Sequence, residues 1–407
     1  MKKLLPVYLL TFVNTLGFSL LIPVLPIVVR DWNMPDWTYG LLLAVYSLCL
    51  FWAAPIFGRL SDQYGRRRLL LLSQAGTLAS WVAFAGLWFL DSGMGLDALW
   101  LMILLMLIRI IDGVTGGNNS VLQAYLSDIS SEKERAAFFS YTAAVFGVGM
   151  IIGPAIGAYT MATSIDYLAT AIFGVFMSLV TLVAIHFHLA ESLQQTAPKV
   201  KIQWLQPFRL GKAFRDLHEQ PIIQNVMVVN LLQSAALAAY VSIIIFYLID
   251  QIGLKETEVG HFLFLVGGFA IFNQLVMVKP IVERLGSAKA LALGLILMAL
   301  GLAAISFIQN LWLLILVYYF LNLGISICVP TMKAVVSNET AEDERGEMLG
   351  LFESINSLMF GIMPIVATAI YAGLMSWSFI LWGLLAGLGV IYLATRCQIV
   401  MQRSPVG

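Results

Sequence analysis

Three ionisable residues stand inside long apolar stretches of this sequence: Arg109, Asp112 and Glu353. An ionisable side chain at the centre of a membrane helix costs roughly 2.5–3.5 kcal/mol on insertion scales, so each of the three requires a reason. Acids inside membrane helices are typical of proton relays. We therefore interpret Asp112, Glu353 and Arg109 as proton-coupling candidates, and we predict no catalytic residue.

The two acids differ in their neighbours along the chain. Asp112 lies one turn after Arg109, which can neutralise it, so the two residues either act in a cavity or form a structural pair. Glu353 has no cation near it in the sequence, so we expect it to be neutral or hydrogen-bonded to another helix. It is either a titrating carboxylate or a buried glutamate that polar neighbours satisfy for helix packing.

Polar residues on predicted helix faces outline a cavity. On the fourth predicted span, about residues 98–126, the spacing of +3, +4, +3, +4 places five residues on one face: Arg109, Asp112, Gly116, Asn119 and Gln123. Further amides and aromatics complete the predicted lining: Asn14, Phe18, Asn230, Gln233, Tyr240, Tyr318, Asn322 and Asn356. Such a lining suits an amphipathic organic molecule better than a bare metal ion, and no metal site or cofactor is predicted.

The amino-acid composition indicates which kind of fold holds these residues in place. Of 407 residues, 60% are hydrophobic and 11% are charged, which excludes a soluble enzyme because soluble domains carry about 25% charged residues. At about 20 residues for each membrane helix, the apolar content allows roughly twelve spans. The formal net charge is zero, so a nucleic acid is not predicted as a partner. The predicted fold is an all-α membrane protein of twelve transmembrane helices.

The distribution of charged residues predicts how the chain is oriented in the membrane and where it divides into two halves. Most Lys and Arg residues fall on one side if both termini are cytoplasmic, as the positive-inside rule expects. The longest polar segment, residues 191–220, separates six predicted helices (1–190) from six others (221–407). This segment is either a solvated linker or, through its basic and aromatic residues, a helix at the lipid headgroups.

The two halves resemble each other. Glu132–Arg135 and Glu342–Arg345 are similar charge runs, and the same offset relates Pro154 to Pro364. Residues 58–65 and 279–286 follow corresponding spans, with an acid and a glycine at the same spacing. A parallel six-plus-six repeat predicts two pseudo-symmetric bundles with a cavity between them. In a carrier, such bundles rock against each other and expose the cavity to each side of the membrane in turn.

Several motifs resemble those of the major facilitator superfamily. Residues 58–68 resemble its loop signature G-x-L-a-D-r-x-G-r-r/k-x, and Arg109 followed by Gly113 resembles its fourth-helix pattern. Residues 147–157 resemble the fifth-helix G-x-x-x-G-P-x-x-G pattern of its drug/proton antiporters, while residues 14–26 and 124–128 look closest to the tetracycline-efflux branch. The chain departs from that branch at Asn14 and Ser80, where those exporters carry acids, and it has no acid in the ninth span.

The resemblance also implies roles for charged and small residues. It implies a charge cluster that latches the two halves on the cytoplasmic side, formed by Gly58, Asp62, Gly65, Arg66 and Asp128. Small residues and a proline allow close helix approach and hinging. These are Gly113, Gly149, Gly153, Pro154 and Gly157.

We therefore expect a secondary active transporter that moves a small amphipathic organic solute by alternating access. Proton-coupled efflux is the first hypothesis, by resemblance to the antiporters. The alternative is a proton-coupled importer or facilitator of a small metabolite or siderophore. We expect a monomer in the cell inner membrane whose partners are solute, protons and lipid. The sequence contains no HExxH, GxSxG or P-loop, which argues against an enzyme or an ATP-driven pump.

Overall fold

The computed structural model describes residues 5–129, 132–193, 220–340 and 345–396, and these residues form helices joined by short turns, without a β-strand among them. In the first part of the chain the helices are α1 (Leu5–Asp31), α2 (Trp37–Tyr64), α3 (Arg66–Met94), α4 (Ala98–Thr115), α5 (Asn119–Ile129), α6 (Glu132–Met161) and α7 (Asp166–His188). The second part holds α8 (Pro221–Asp250), α9 (Glu256–Phe272), α10 (Val278–Ile305), α11 (Leu311–Glu339), α12 (Arg345–Leu374) and α13 (Ser378–Arg396).

Many of these helices are long and apolar enough to cross a membrane. Within the described ranges nine candidate spans are found, and two of them, Thr257–Ile305 and Met348–Arg396, are 49 residues long. A single crossing needs about 20 residues, so each of these runs has the length of two crossings. The all-helical membrane fold is confirmed, while the count of twelve stays a prediction.

Local sequence explains where helices begin and end. The Asn310 side chain accepts hydrogen bonds from the backbone N–H groups of Trp312 (2.9 Å) and Leu313 (3.2 Å), which caps the N-terminus of α11. Gly95 ends α3 in the left-handed conformation, with φ 59°. The predicted loop after the second span is shorter than expected, because α2 continues through Tyr64 and only Gly65 separates it from α3.

The glycines of the predicted repeat have the same unusual backbone geometry. Gly65 has φ 97° and ψ 143°, and Gly286 interrupts α10 with φ 75° and ψ 160°. Residues with a side chain almost never adopt this region. The predicted correspondence of these two positions is therefore confirmed.

The chain groups into two compact units. The first comprises Met1–Thr38, Val45–Pro207 and Glu256–Phe264, and the second comprises Tyr39–Ala44, Phe208–Lys255 and Leu265–Gly407. Most of the predicted 191–220 linker lies outside the described residues, which resume at residue 220. The domain boundaries therefore remain a proposal.

Small residues on α6 let it approach α1 within the first unit. A Cβ atom added at Gly149 would lie 2.9 Å from Thr15 Cβ, and one at Gly157 would meet the Leu20 carbonyl group. The Ser19 hydroxyl donates to the Gly149 carbonyl at 2.9 Å. Gly113 of α4 has a similar role, because an added Cβ would lie 2.6 Å from the Tyr46 carbonyl oxygen. These close approaches support the proposed packing role of the glycines, and Pro154 lies inside α6.

We expect Gly153→Ala to destabilise the first unit. Its Cβ would overlap the Ser19 hydroxyl and lie 2.8 Å from Ser19 Cβ, and overpacking of this kind costs about 1–3 kcal/mol. Thermal unfolding of the purified protein measures the effect. Gly147→Ala is the matched control, because an added Cβ there has nothing within 4 Å and alanine is the better helix former by about 1 kcal/mol. Equal melting temperatures for the two variants would contradict this packing role.

Candidate functional site

The centre of the first unit holds a buried ion pair on α4. Arg109 Nη1 donates to Asp112 Oδ2 at 2.7 Å, and the side chains are 2% and 14% exposed. The guanidinium carbon of Arg109 also lies 4.2 Å from the centroid of the Tyr46 ring on α2, a favourable cation–π contact. Nε and Nη2 of Arg109 are buried without a hydrogen-bond partner among the described residues.

Two crevices border this pair, and Asp112 lines both of them. The first is a narrow crevice of about 10 Å³, lined by Leu21, Ser80, Trp81, Phe84, Leu105, Ile108, Arg109 and Asp112. The second is also about 10 Å³ and is lined by Val13, Asn14, Gly17, Phe18, Tyr46, Thr77, Trp81, Asp112 and Gly116. Asn14, Phe18 and Asp112 were predicted to line a cavity, and the structure brings these three together.

Of the predicted face of the fourth span, Arg109, Asp112 and Gly116 line the crevices, and the role of Asn119 and Gln123 stays a prediction. A 3-10 turn, Gly116–Asn118, separates α4 from α5, and its three residues per turn shift the α-helical register. Arg109, before this turn, is buried, whereas Asn119 and Gln123, after it, are exposed. The side chain that joins the site is Asn118, which is fully buried and accepts from Asn14 Nδ2 at 2.8 Å.

The second unit contains the other predicted acid in an unexpected pairing. Lys333 Nζ of α11 lies 2.5 Å from Glu353 Oε1 of α12, and the side chains are 41% and 53% exposed. The expectation of a buried glutamate without a cation is therefore wrong. The cation comes from a neighbouring helix, so spacing within one helix does not reveal the pair.

Glu353 is one end of a hydrogen-bonded chain that links α12 to α8. Asn356 Nδ2 donates to Glu353 Oε2 at 3.3 Å, and the Ser234 hydroxyl donates to Asn356 Oδ1 at 2.5 Å. The Asn230 backbone carbonyl oxygen, 2.6 Å from the Ser234 hydroxyl, is the alternative acceptor for its single proton, and Asn230 Nδ2 donates to the Phe352 carbonyl at 3.2 Å. Asn230 and Asn356, both predicted, are thus connected to the acid.

The other predicted cavity residues of the second unit are also buried. The rings of Tyr240 and Tyr318 lie 5.8 Å apart, between α8 and α11. Asn322 accepts from Asn273 Nδ2 at 3.1 Å, and Asn273 begins a π-helical turn that sequence reasoning missed. Gln233 is buried, and its Nε2 has no hydrogen-bond partner among the described residues.

The predicted charge cluster forms at the junction of α2 and α3. Arg66 Nη1 lies 2.5 Å from Asp62 Oδ1, and Arg66 Nε lies 3.0 Å from Asp128 Oδ2. Ser61 connects the cluster to Gly58 by donating to its carbonyl at 2.6 Å. Glu191, which sequence reasoning missed, accepts from the backbone N–H groups of Arg66 (2.8 Å) and Arg67 (3.2 Å). The proximity of Asp62, Arg66 and Asp128 is confirmed, and the latch function stays a proposal.

We expect Gly65→Ala to lower stability more than the matched variant Gly286→Ala. Both substitutions force alanine into a backbone region that costs about 1–3 kcal/mol. Only at Gly65 would the new Cβ also press on the Glu191 carboxylate, with Glu191 Cδ at 3.1 Å, whereas Gly286 has nothing within 4 Å. Thermal unfolding compares the two variants. If Gly65→Ala lowered the melting temperature less than Gly286→Ala, the contact with Glu191 would not contribute to stability.

Comparisons with known proteins agree on the family. The model of the Major Facilitator Superfamily matches residues 7–279 and 226–399. The class C tetracycline resistance protein of Escherichia coli is 29% identical over 378 residues, which cover 91% of this chain and 90% of that protein. The class B protein of Escherichia coli is 27% identical over 401 residues, covering 96% and 92%. The crystal structure of a human organic anion transporter has a TM-score of 0.72 at 20% identity, covering 96% of this chain and 99% of that one. The chain therefore belongs to the Major Facilitator Superfamily and is a multi-pass membrane transporter of small molecules.

Proposed function

We propose that this transporter exports a small amphipathic organic solute in exchange for protons, by alternating access. The observation that carries the proposal is the Arg109–Asp112 pair, which lies at the border of two crevices lined largely by apolar and aromatic side chains. Charged groups inside membrane helices are costly and are typical of ion and substrate pathways. The names of the relatives, tetracycline resistance proteins, support efflux of an organic compound.

The pair offers a simple means of coupling. When its carboxylate is ionised, Asp112 forms the ion pair with Arg109. When a proton neutralises the carboxylate, the ion pair is released. Because Asp112 borders both crevices, this exchange changes the charge that a bound solute meets. A solute and a proton that alter the same ion pair affect each other's binding, which is the thermodynamic requirement for coupled movement.

Glu353 is the second proposed coupling group. Its chain through Asn356 and Ser234 ends on Asn230 inside the second unit. A proton on Glu353 would weaken its attraction to Lys333 and change this chain of hydrogen bonds. The two acids would then give each unit one site that responds to protons.

We place the protein as a monomer in the cell inner membrane, with both termini in the cytoplasm and halves 1–190 and 221–407. The Asp62–Arg66–Asp128 cluster is proposed as the cytoplasmic latch of the transport cycle. Arg66 holds two carboxylates at once, so a movement of α2 relative to α5 must break at least one ion pair.

A proton-coupled importer or facilitator of a small metabolite or siderophore is the second candidate. It is favoured by Asn14 and Ser80, which occupy the positions where tetracycline exporters carry acids. In the structure these residues make neutral hydrogen bonds, Asn14 to Asn118 and Ser80 to the Gly76 carbonyl at 3.0 Å.

Two experiments, carried out one after the other, test the proposal. The first screens thermal stability of the purified protein with tetracycline, ethidium, a catecholate siderophore, glucose and leucine, because a ligand shifts the melting point by mass action. The second measures uptake of the stabilising compound into proteoliposomes with and without an imposed pH gradient. Export predicts stabilisation by tetracycline or ethidium and accumulation that depends on the gradient. Stabilisation by the siderophore, glucose or leucine would favour the second candidate.

A further inference from the structure

The two crevices that border Asp112 each have the size of one water molecule. The first crevice, which contains Arg109, and the second, which contains Asn14, have a volume of about 10 Å³ each. A buried water molecule needs roughly 10–15 Å³ of cavity volume together with two to four polar partners. Both crevices reach the lower end of this range, so the polar groups in their linings decide whether water is bound.

The first crevice contains a buried charged donor with unused N–H groups. Nε and Nη2 of Arg109 have no hydrogen-bond partner in the part of the chain that the structure describes, and the side chain is 2% exposed. Ser80 donates its hydroxyl proton to the Gly76 carbonyl, so its oxygen can still accept. Arg109 engages Oδ2 of Asp112, which leaves Oδ1 to accept. A water molecule that accepts from Arg109 and donates to Asp112 satisfies groups that are costly to bury unpaired.

The second crevice contains a buried acceptor without a partner. Asn14 Nδ2 donates to Asn118 Oδ1 at 2.8 Å, but Asn14 Oδ1 is buried and has no partner among the described residues. Tyr46 and Thr77, which carry hydroxyl groups, line this crevice together with Asp112. A water molecule here can donate to Asn14 and Asp112 and accept from a hydroxyl group, which gives the three hydrogen bonds that buried waters typically make.

We infer that each crevice holds one ordered water molecule, and that the water of the second crevice carries protons to and from Asp112. The inference rests on the proposed proton coupling and adds the route by which Asp112 is protonated. The guanidinium group of Arg109 lines the first crevice and repels a hydronium ion there. Among the described residues that line the second crevice, Asp112 alone is charged, so a hydronium ion is attracted to its carboxylate.

The proposed step is a single proton transfer. The water of the second crevice accepts a proton from solvent water, and the resulting hydronium ion passes it to Oδ1 of Asp112. One O–H bond of the hydronium ion breaks, one O–H bond forms on the carboxyl group, and a neutral water molecule remains. The charged and titratable groups around the acid are Arg109 on its own helix with Tyr46 and Cys49 on α2, while α1 and α3 contribute neutral residues to both linings.

X-ray hydroxyl-radical labelling of the purified full-length chain in heavy-oxygen water tests whether the two waters are bound. Radiolysis converts a bound water into a hydroxyl radical that oxidises the adjacent side chain, and mass spectrometry detects the heavy oxygen on that residue. Phe84 lines the first crevice and is 2% exposed, and Tyr46 lines the second and is 8% exposed. Their matched references are Phe246 and Tyr39, which are fully buried and line neither crevice. We expect labelling of Phe84 and Tyr46 to be several-fold faster than that of their references.

Gly17→Ala tests the proton route by filling the second crevice. Gly17 lines this crevice, and an added Cβ would lie 3.5 Å from Trp81 Cζ2, which is an ordinary van der Waals contact. Alanine is also the better helix former, so the variant should fold. We expect the labelling of Tyr46 and the gradient-driven accumulation of solute to fall several-fold, while downhill flux without a pH gradient is kept. Gly86→Ala on α3 is the matched control, because an added Cβ there has nothing within 4 Å.

The outcomes separate this inference from the proposed function. Wild-type labelling of Phe84 and Tyr46 no faster than that of their references would overturn the water sites, whatever the transport assays show. Gradient-driven accumulation that stays at the wild-type rate in Gly17→Ala, although Tyr46 labelling falls, would overturn the proton route. If wild-type accumulation does not depend on the pH gradient, the proposed function fails together with the proton route, and labelling alone decides the water sites.

Discussion

Replacing Asp112 with asparagine is expected to reduce pH-gradient-driven solute accumulation to the level of protein-free liposomes, while the protein stays folded with a lowered melting temperature, because Arg109 loses its buried counter-charge. Asparagine has nearly the same shape, and its carbonyl oxygen can still accept from Arg109 Nη1, which lies 2.7 Å from the present carboxylate. The amide cannot take up a proton at physiological pH, so the proposed coupling step is lost. Accumulation in proteoliposomes with an imposed pH gradient measures the loss.

A double variant separates coupling from simple charge balance. If Asp112 served only to neutralise Arg109, the neutral pair Arg109→Gln with Asp112→Asn would restore transport. Our proposal predicts that the double variant stays inactive. Asp36→Asn is the matched control, because Asp36 pairs with Arg30 at 2.9 Å and neither residue lines the crevices. Gradient-driven accumulation at the wild-type rate by Asp112→Asn would contradict the assignment.

Replacing Glu353 with glutamine is expected to have a comparably large effect on gradient-driven transport. The substitution leaves Lys333 with an uncharged neighbour in place of a carboxylate 2.5 Å away and removes the proton-binding group from the chain to Asn356. Because both side chains are about half exposed, the loss of the ion pair itself costs little stability. We therefore expect a folded protein that no longer couples solute movement to protons.

The Lys333→Gln, Glu353→Gln double variant distinguishes a titrating glutamate from one that merely balances Lys333. Recovery of gradient-driven transport in the double variant would assign Glu353 a purely structural role and refute its coupling role. Glu283→Gln provides the control, since Glu283 pairs with Lys279 at 3.8 Å and both side chains are highly exposed. It removes the same charge from the same unit and should transport like the wild type.

The features that depend on local sequence patterns were predicted correctly from the sequence. Apolar runs predicted the helices, because membrane spans need a fixed length of apolar residues. The Gly65 and Gly286 correspondence followed from spacing, and both glycines have positive φ in the structure. The contact between Asp62 and Arg66 was predictable from their closeness in the chain, although they lie on different helices, α2 and α3, on either side of Gly65.

Contacts between helices were harder to predict. Glu353 meets Lys333 only because α11 and α12 pack side by side, and no spacing within either helix encodes that contact. The contact of Asn118 with Asn14 was missed because the 3-10 turn at Gly116 changes the register that an ideal α-helix would keep. The adjacent Gly116 and Gly117 were the one sequence signal of this irregularity, since glycine weakens a helix.

The most direct test of proton-coupled transport is to measure proton movement itself. Proteoliposomes loaded with the pH indicator pyranine, at equal pH on both sides and with the membrane potential clamped by valinomycin and potassium, receive an external pulse of tetracycline or ethidium. Our account predicts that at least one compound changes the lumenal pH with wild-type protein and that neither does so with Asp112→Asn. A lumenal pH that stays constant for both compounds with wild-type protein, or that changes equally in the variant, would contradict it.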